Sequence, residues 1–86
     1  MDGWYLKPGS TVTGIKEIAR GDKIREVKRL IERYPLSNGT LTKPQDWIKV
    51  RGTATITNGV KEICAEIHWY QCENIGKVEF KVKNER

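Results

Sequence analysis

From Trp47 to Lys83 apolar and polar residues alternate through three runs, WIKVRGTATITN, VKEICAEIHWY and GKVEFKVK. Side chains two apart along a strand share a face, so the alternation predicts a three-stranded antiparallel meander over 47–83. Ile48, Val50, Gly52, Ala54 and Ile56, then Ile63, Ala65, Ile67 and Trp69, then Val78, Phe80 and Val82 form the apolar face. The opposite face carries Lys49, Arg51, Thr53, Thr55, Glu62, Cys64, Glu66, His68, Tyr70, Lys77, Glu79, Lys81 and Lys83. His68 is the only histidine of the chain.

The turns suggest a register. Asn58-Gly59 is a strong signal for a two-residue type I′ turn. Such a turn pairs Thr57 with Val60, Ala54 with Ile63 and Val50 with Ile67, and sets Arg51 opposite Glu66 and Lys49 opposite His68. The second hairpin is expected to loop through 71–76, which puts Glu79 opposite His68 and Lys81 opposite Glu66. A register two residues tighter would set Glu66 against Glu79, and like charges directly opposite are unfavourable.

Upstream, Ile24, Val27, Leu30, Ile31 and Tyr34 mark a helical stripe, which predicts a helix over 22–34 ended by Pro35. Its outer face, with Lys23, Arg25, Lys28, Arg29 and Arg33, reads as a solvated basic face. Thr11–Ile18 is β-branched and reads as a short strand, although Val12, Ile15 and Ile18 also fit a helical spacing. Residues 1–10 read as an irregular lead-in and 35–46 as a loop. The expected fold is α+β in a single domain spanning 1–86: a short N-terminal strand, then one main helix packed on the apolar face of the meander. Ile24, Val27, Ile31, Val50, Ala54, Ile63, Ile67, Trp69, Phe80 and Val82 are the expected core.

Length and charge narrow the function. A chain of 86 residues buries only about 60–65% of its unfolded surface, so every element must contribute to the core. The net charge of +5 and a pI of about 9.4 favour a polyanionic partner, nucleic acid first and an acidic protein second. Two cysteines, Cys64 and Cys72, make neither a disulfide scaffold nor, with one histidine, a zinc site. No apolar run approaches a membrane span and no signal-peptide core is present, so neither a membrane partner nor a leader is expected. No phosphate-binding glycine loop, nucleophile elbow or dinucleotide fingerprint occurs, and no cofactor or metal is expected.

The polar face has the residue types for RNA cleavage beside a 2′-hydroxyl. His68 is suited to proton transfer near neutral pH. Glu66 can act as base or organise neighbouring cations. Lys49, Arg51, Lys81 and Lys83 can bind phosphate and stabilise developing charge, and Tyr70 and Trp47 can stack a base. The same face is equally described as ordinary cross-strand pairing. A non-catalytic module for nucleic acid or protein, or a structural domain, therefore stays open.

The blocks Ala65-Glu66-Ile67-His68-Trp69-Tyr70 and Ile75-Gly76-Lys77-Val78-Glu79-Phe80-Lys81-Val82-Lys83 resemble a C-terminal domain of some phage head-morphogenesis (minor capsid) proteins and polymorphic toxins. Thr13-Gly14-Ile15-Lys16, Arg29-Leu30-Ile31, Tyr34 and Asp46-Trp47-Ile48-Lys49-Val50-Arg51-Gly52 fit the same pattern, which spans nearly the whole chain. Helix followed by meander is also similar to the barnase, EndoU, colicin and RelE group of small metal-independent ribonucleases. The resemblance implies a phage-encoded or toxin-type ribonuclease with His68, Glu66, Lys81 and Lys16 in the active site, while Glu79, opposite His68 in the expected register, joins the expected binding residues of the polar face. It implies RNA as substrate, an acidic immunity or phage protein as partner, and a place in the bacterial cytoplasm or a phage particle. The better-defined catalytic motifs of that group are missing here, so an inactive binding relative or a head-assembly domain are the alternatives.

Overall fold

Strand β3 (Trp47–Thr57) is the hub of the structure. It pairs along one side with β4 (Glu62–Cys72) and along the other with β1 (Tyr5–Leu6) and β2 (Thr13–Arg20). Strand β5 (Gly76–Glu85) completes a five-stranded antiparallel sheet beyond β4. This computed structural model describes residues 3–85, with side chains through Lys83, and its class is α+β. The irregular lead-in thus contributes β1; its first two residues lie outside the described ones.

The helix is shorter than the stripe suggests. A 3-10 turn at Gly21–Lys23 is followed by Ile24 in an extended conformation, and only Val27–Arg33 forms α1. The extended Ile24 separates the 3-10 turn from α1, and no side chain caps the start of α1 at Glu26. Tyr34 leaves helical geometry, as expected of a residue preceding proline.

Two clusters share the sheet, one on each face. Val50, Ala54, Ile56, Ala65, Ile67 and Trp69 form one, closed by Trp4, Leu6, Val12, Ile48, Ile63 and Val82. Ile24, Val27, Leu30, Trp47, Tyr70 and Cys72 form the other, with Ala19, Ile31, Tyr34, Ile75 and Val78 against it. The expectation that α1 covers the Val50–Ile67 face is therefore wrong. The lead-in covers that face, and α1 sits over the end of the polar face, where Trp47, Tyr70 and Cys72 supply apolar surface. Gly52 makes the first arrangement possible: a Cβ there would lie 2.6 Å from Val12 Cγ1 and 3.2 Å from the Trp69 ring.

The β3–β4 register is offset by two residues from the expected one. Thr57 pairs with Glu62, Ala54 with Ala65, Arg51 with His68 and Lys49 with Tyr70. A type I′ turn requires positive φ at Asn58, yet Glu79 is the only non-glycine with positive φ among the described residues. A four-residue turn forms instead. Asn58 Oδ1 accepts from the amides of Val60 and Lys61, Thr57 Oγ1 donates to the Lys61 carbonyl, and the Gly59 amide donates to Thr57 Oγ1. A two-residue offset preserves facing, so apolar still meets apolar.

Strand β5 departs more deeply. Cys72 pairs with Gly76 across a three-residue link, and Tyr70 pairs with Val78. The register then shifts between His68 and Tyr70, at a bulge where Glu79 has φ 58°. Val78 joins the α1-side cluster and Val82 the opposite one, so a single apolar face for this strand is corrected. Phe80 is not core: it is 46% exposed and stacked on Trp69. Lys77 likewise lies over the Trp69 ring rather than on the polar face.

Candidate nucleic-acid interface

Four side-chain positions form one row across four strands. Lys16 on β2 pairs with Arg51 on β3, Arg51 with His68 on β4, and His68 with Lys81 on β5. Directly paired residues share a face, and that face is the one α1 only partly covers. With neighbouring strands about 4.8 Å apart, the row spans roughly 14 Å. Lys16 and Lys81 are exposed, whereas the His68 side chain is only 15% exposed.

Glu66 ties the centre of the row together. One carboxylate oxygen lies 2.8 Å from His68 Nε2 and the other 3.4 Å from an Arg51 nitrogen. Residues 66 and 68 share a strand face, and Arg51 reaches Glu66 along the diagonal of its own pair with His68. Glu66 therefore sits between Arg51 and His68, not between Arg51 and Lys81. The Nδ1 atom of His68 is buried and has no hydrogen-bond partner among the described residues.

Beside the row a cleft of about 200 Å³ opens between α1 and β3–β5, lined by Glu26, Arg29, Lys49, His68, Tyr70, Glu79, Lys81 and Lys83 together with Trp69 and Phe80. Lys49 and Lys83 are thus brought to the same place as Lys81. Lys49 Nζ lies 5.8 Å from the centre of the Tyr70 ring.

Three expected contacts with a nucleic acid are corrected. Tyr70 is only 8% exposed and belongs to the core, so its ring is not a stacking platform. Its hydroxyl pKa is pushed up to about 12 by burial, reinforced by a hydrogen bond to Glu26. Trp47 is fully buried and donates from Nε1 to Thr42 Oγ1 at 2.8 Å. Glu79 does not face His68. It forms a bidentate pair with Arg29, both contacts 2.8 Å, and accepts from the Tyr34 hydroxyl at 2.9 Å. Those hydrogen bonds, Arg29 foremost, hold its carboxyl below the ordinary glutamate value.

The sequence reading missed Glu26 and gave Arg29 only a solvated role. For Glu26, burial alone would raise the pKa, but the Tyr70 hydroxyl and nearby Lys49 and Arg29 bring it below the ordinary value. Neither residue was recoverable from periodicity, because α1 packs on Trp47, Tyr70 and Cys72 rather than on the Val50–Ile67 face it was expected to cover.

Among the described residues no three His, Cys, Asp or Glu side chains converge as metal ligands. No helix among them is long and apolar enough to cross a membrane. No family model, curated protein or solved structure matches the chain.

Proposed function

We propose that this domain is a small metal-independent ribonuclease, phage-encoded or toxin-type, that works on single-stranded RNA laid along the Lys16–Arg51–His68–Lys81 row. The observation that carries the reading is the contact of Glu66 with both His68 and Arg51 inside a row of cations. Lys16, Arg51 and Lys81 supply the charge that a phosphate and its pentacovalent transition state require. Glu66 and His68 supply a proton acceptor and a proton donor. The 2′-oxygen attacks phosphorus as its proton passes to one of them, and the 5′-oxygen leaves with a proton from the other. Catalytic hydrogen bonds commonly take their working geometry only with substrate bound. Every group in this scheme belongs to the protein, so the chemistry calls for no metal.

One observation favours a second reading, an RNA-binding module without catalysis. Nε2 of His68 is engaged by Glu66 and Nδ1 is buried, so neither nitrogen is offered to solvent in the free protein. A single experiment separates the two. The purified domain is incubated with total RNA, with and without EDTA, alongside His68→Ala. Cleavage by the parent that resists EDTA and is lost in His68→Ala supports the ribonuclease. Salt-dependent binding without cleavage supports the module, and no binding at low salt removes both.

A further inference from the structure

Lys81 reaches the row only because β5 is bulged. Were the strand to run straight on from the Tyr70–Val78 pair, His68 would face Phe80 and Lys81 would turn towards the Trp69 side. The observed partner of His68 is Lys81. Val78 and Val82 lie four residues apart yet join clusters on opposite faces, which an unbulged strand forbids. Bulges commonly re-aim a side chain beside a functional site.

The bulge is held from outside the sheet. Glu79 sits at φ 58°, a left-handed conformation that residues with a Cβ rarely adopt. Its carboxylate is gripped by both terminal nitrogens of Arg29 and by the Tyr34 hydroxyl, all from α1 and its end. No other non-glycine among the described residues has positive φ, and this one carries the bidentate clamp.

We propose that Arg29 and Tyr34 are positioning residues: by clamping Glu79 in the left-handed conformation they keep the β5 register that sets Lys81 beside His68. The consequence for RNA rests on the reading given under Proposed function; the consequence for register does not.

Both are read on the same variants. Arg29→Ala removes the clamp, Tyr34→Phe removes one hydrogen bond and is the milder perturbation, and Arg29→Ala/Glu79→Gly supplies a residue that adopts positive φ without a clamp. In labelled protein, cross-strand nuclear Overhauser contacts between the backbones of His68 and Lys81 report the register. They are expected to weaken in Arg29→Ala, to weaken less in Tyr34→Phe, and to return in the glycine double variant. Contacts unchanged in Arg29→Ala overturn the proposal. Binding of a fluorescent single-stranded oligoribonucleotide at low salt gives the second readout. Lys81→Ala is expected to weaken it roughly tenfold, the loss of one charge-assisted phosphate contact. Arg29→Ala should cost a similar factor, should cost no more when added to Lys81→Ala, and should be rescued by Glu79→Gly. Additive losses with no rescue would make Arg29 an RNA contact and overturn the positioning role. If the parent binds no oligonucleotide, the ribonuclease reading fails, and the register contacts alone decide the role of the clamp.

Discussion

Arg51 and His68 stand directly opposite each other on neighbouring strands, and Glu66, two residues before His68, touches both. The carboxylate thus sets an acid at the centre of a row that otherwise carries Lys16 and Lys81. Replacing its charge while keeping its shape separates two roles.

Glu66→Gln is expected to slow RNA cleavage by about 10²–10⁴-fold, the usual worth of a positioned acid–base group. The same change should tighten RNA binding, because it deletes a negative charge from a phosphate-facing row. Single-turnover cleavage rates and equilibrium binding, measured at one salt concentration, give the two numbers. Weaker binding in Glu66→Gln would show that Glu66 serves the interface only by organising Arg51.

Gly52 is a packing requirement. A methyl group there meets Val12 Cγ1 at 2.6 Å, with the Thr13 carbonyl and the Trp69 ring each at 3.2 Å. Gly52→Ala is expected to destabilise by about 1–3 kcal/mol through overpacking, lowering the melting temperature by about 4–8 °C for each kcal/mol. Adding Val12→Ala should recover part of the loss, since it withdraws the nearest obstacle. Thermal unfolding followed by circular dichroism tests both, and a double variant no better than the sum of the singles would count against the Val12 contact.

The α+β class, the meander and the facing of the β3 and β4 side chains were legible in the sequence because alternation survives a two-residue slip. Arg51, Glu66 and His68 therefore shared a face in either register, and only their pairing changed. The turn was misjudged because Asn58 and Thr57 use their side chains to stabilise a four-residue loop that the Asn-Gly pair alone does not announce. The facing of Val78, Lys77 and Phe80 was not legible, because a bulge inverts parity and Glu79 carries no glycine to mark it. The side chosen by α1 was lost for a related reason. Tyr70 reads as a member of the polar face, Trp47 as a residue able to stack a base and Cys72 as part of the 71–76 loop, whereas their apolar surface is what the helix buries.

The Arg29–Glu79 pair sets an acid limit. The folded pKa of Glu79 lies below its unfolded value, through the Arg29 hydrogen bonds first. Its contribution is therefore present above about pH 4.3, the ordinary glutamate value, and is lost as pH falls through the lower folded value. Glu79→Gln should cost about 1–2 kcal/mol at pH 7, a charge-assisted bond discounted for partial exposure. The gap between parent and variant should shrink towards pH 3. Urea unfolding at the two pH values measures it, and a gap independent of pH would mean that the negative charge of Glu79 adds nothing to the pair with Arg29.

Tyr70 sets the corresponding alkaline limit, with the opposite sign. Burial, helped by the hydrogen bond to Glu26, raises its folded pKa to about 12, against about 10 in an unfolded chain. Its stabilising effect is complete below pH 10 and is lost as pH rises towards 12, because the unfolded chain releases the proton first. Tyr70→Phe removes both the proton and the bond to Glu26. At pH 7 the variant should be less stable by about 1 kcal/mol, the net worth of one hydrogen bond. Above pH 11 the order should reverse, since the phenylalanine has nothing to ionise. The other tyrosines and the lysines titrate in both proteins and cancel in the difference. Unfolding free energies at pH 7, 10 and 11.5 would therefore trace curves that cross, and a constant offset would mean that the Tyr70 hydroxyl ionises as readily in the folded chain as in water.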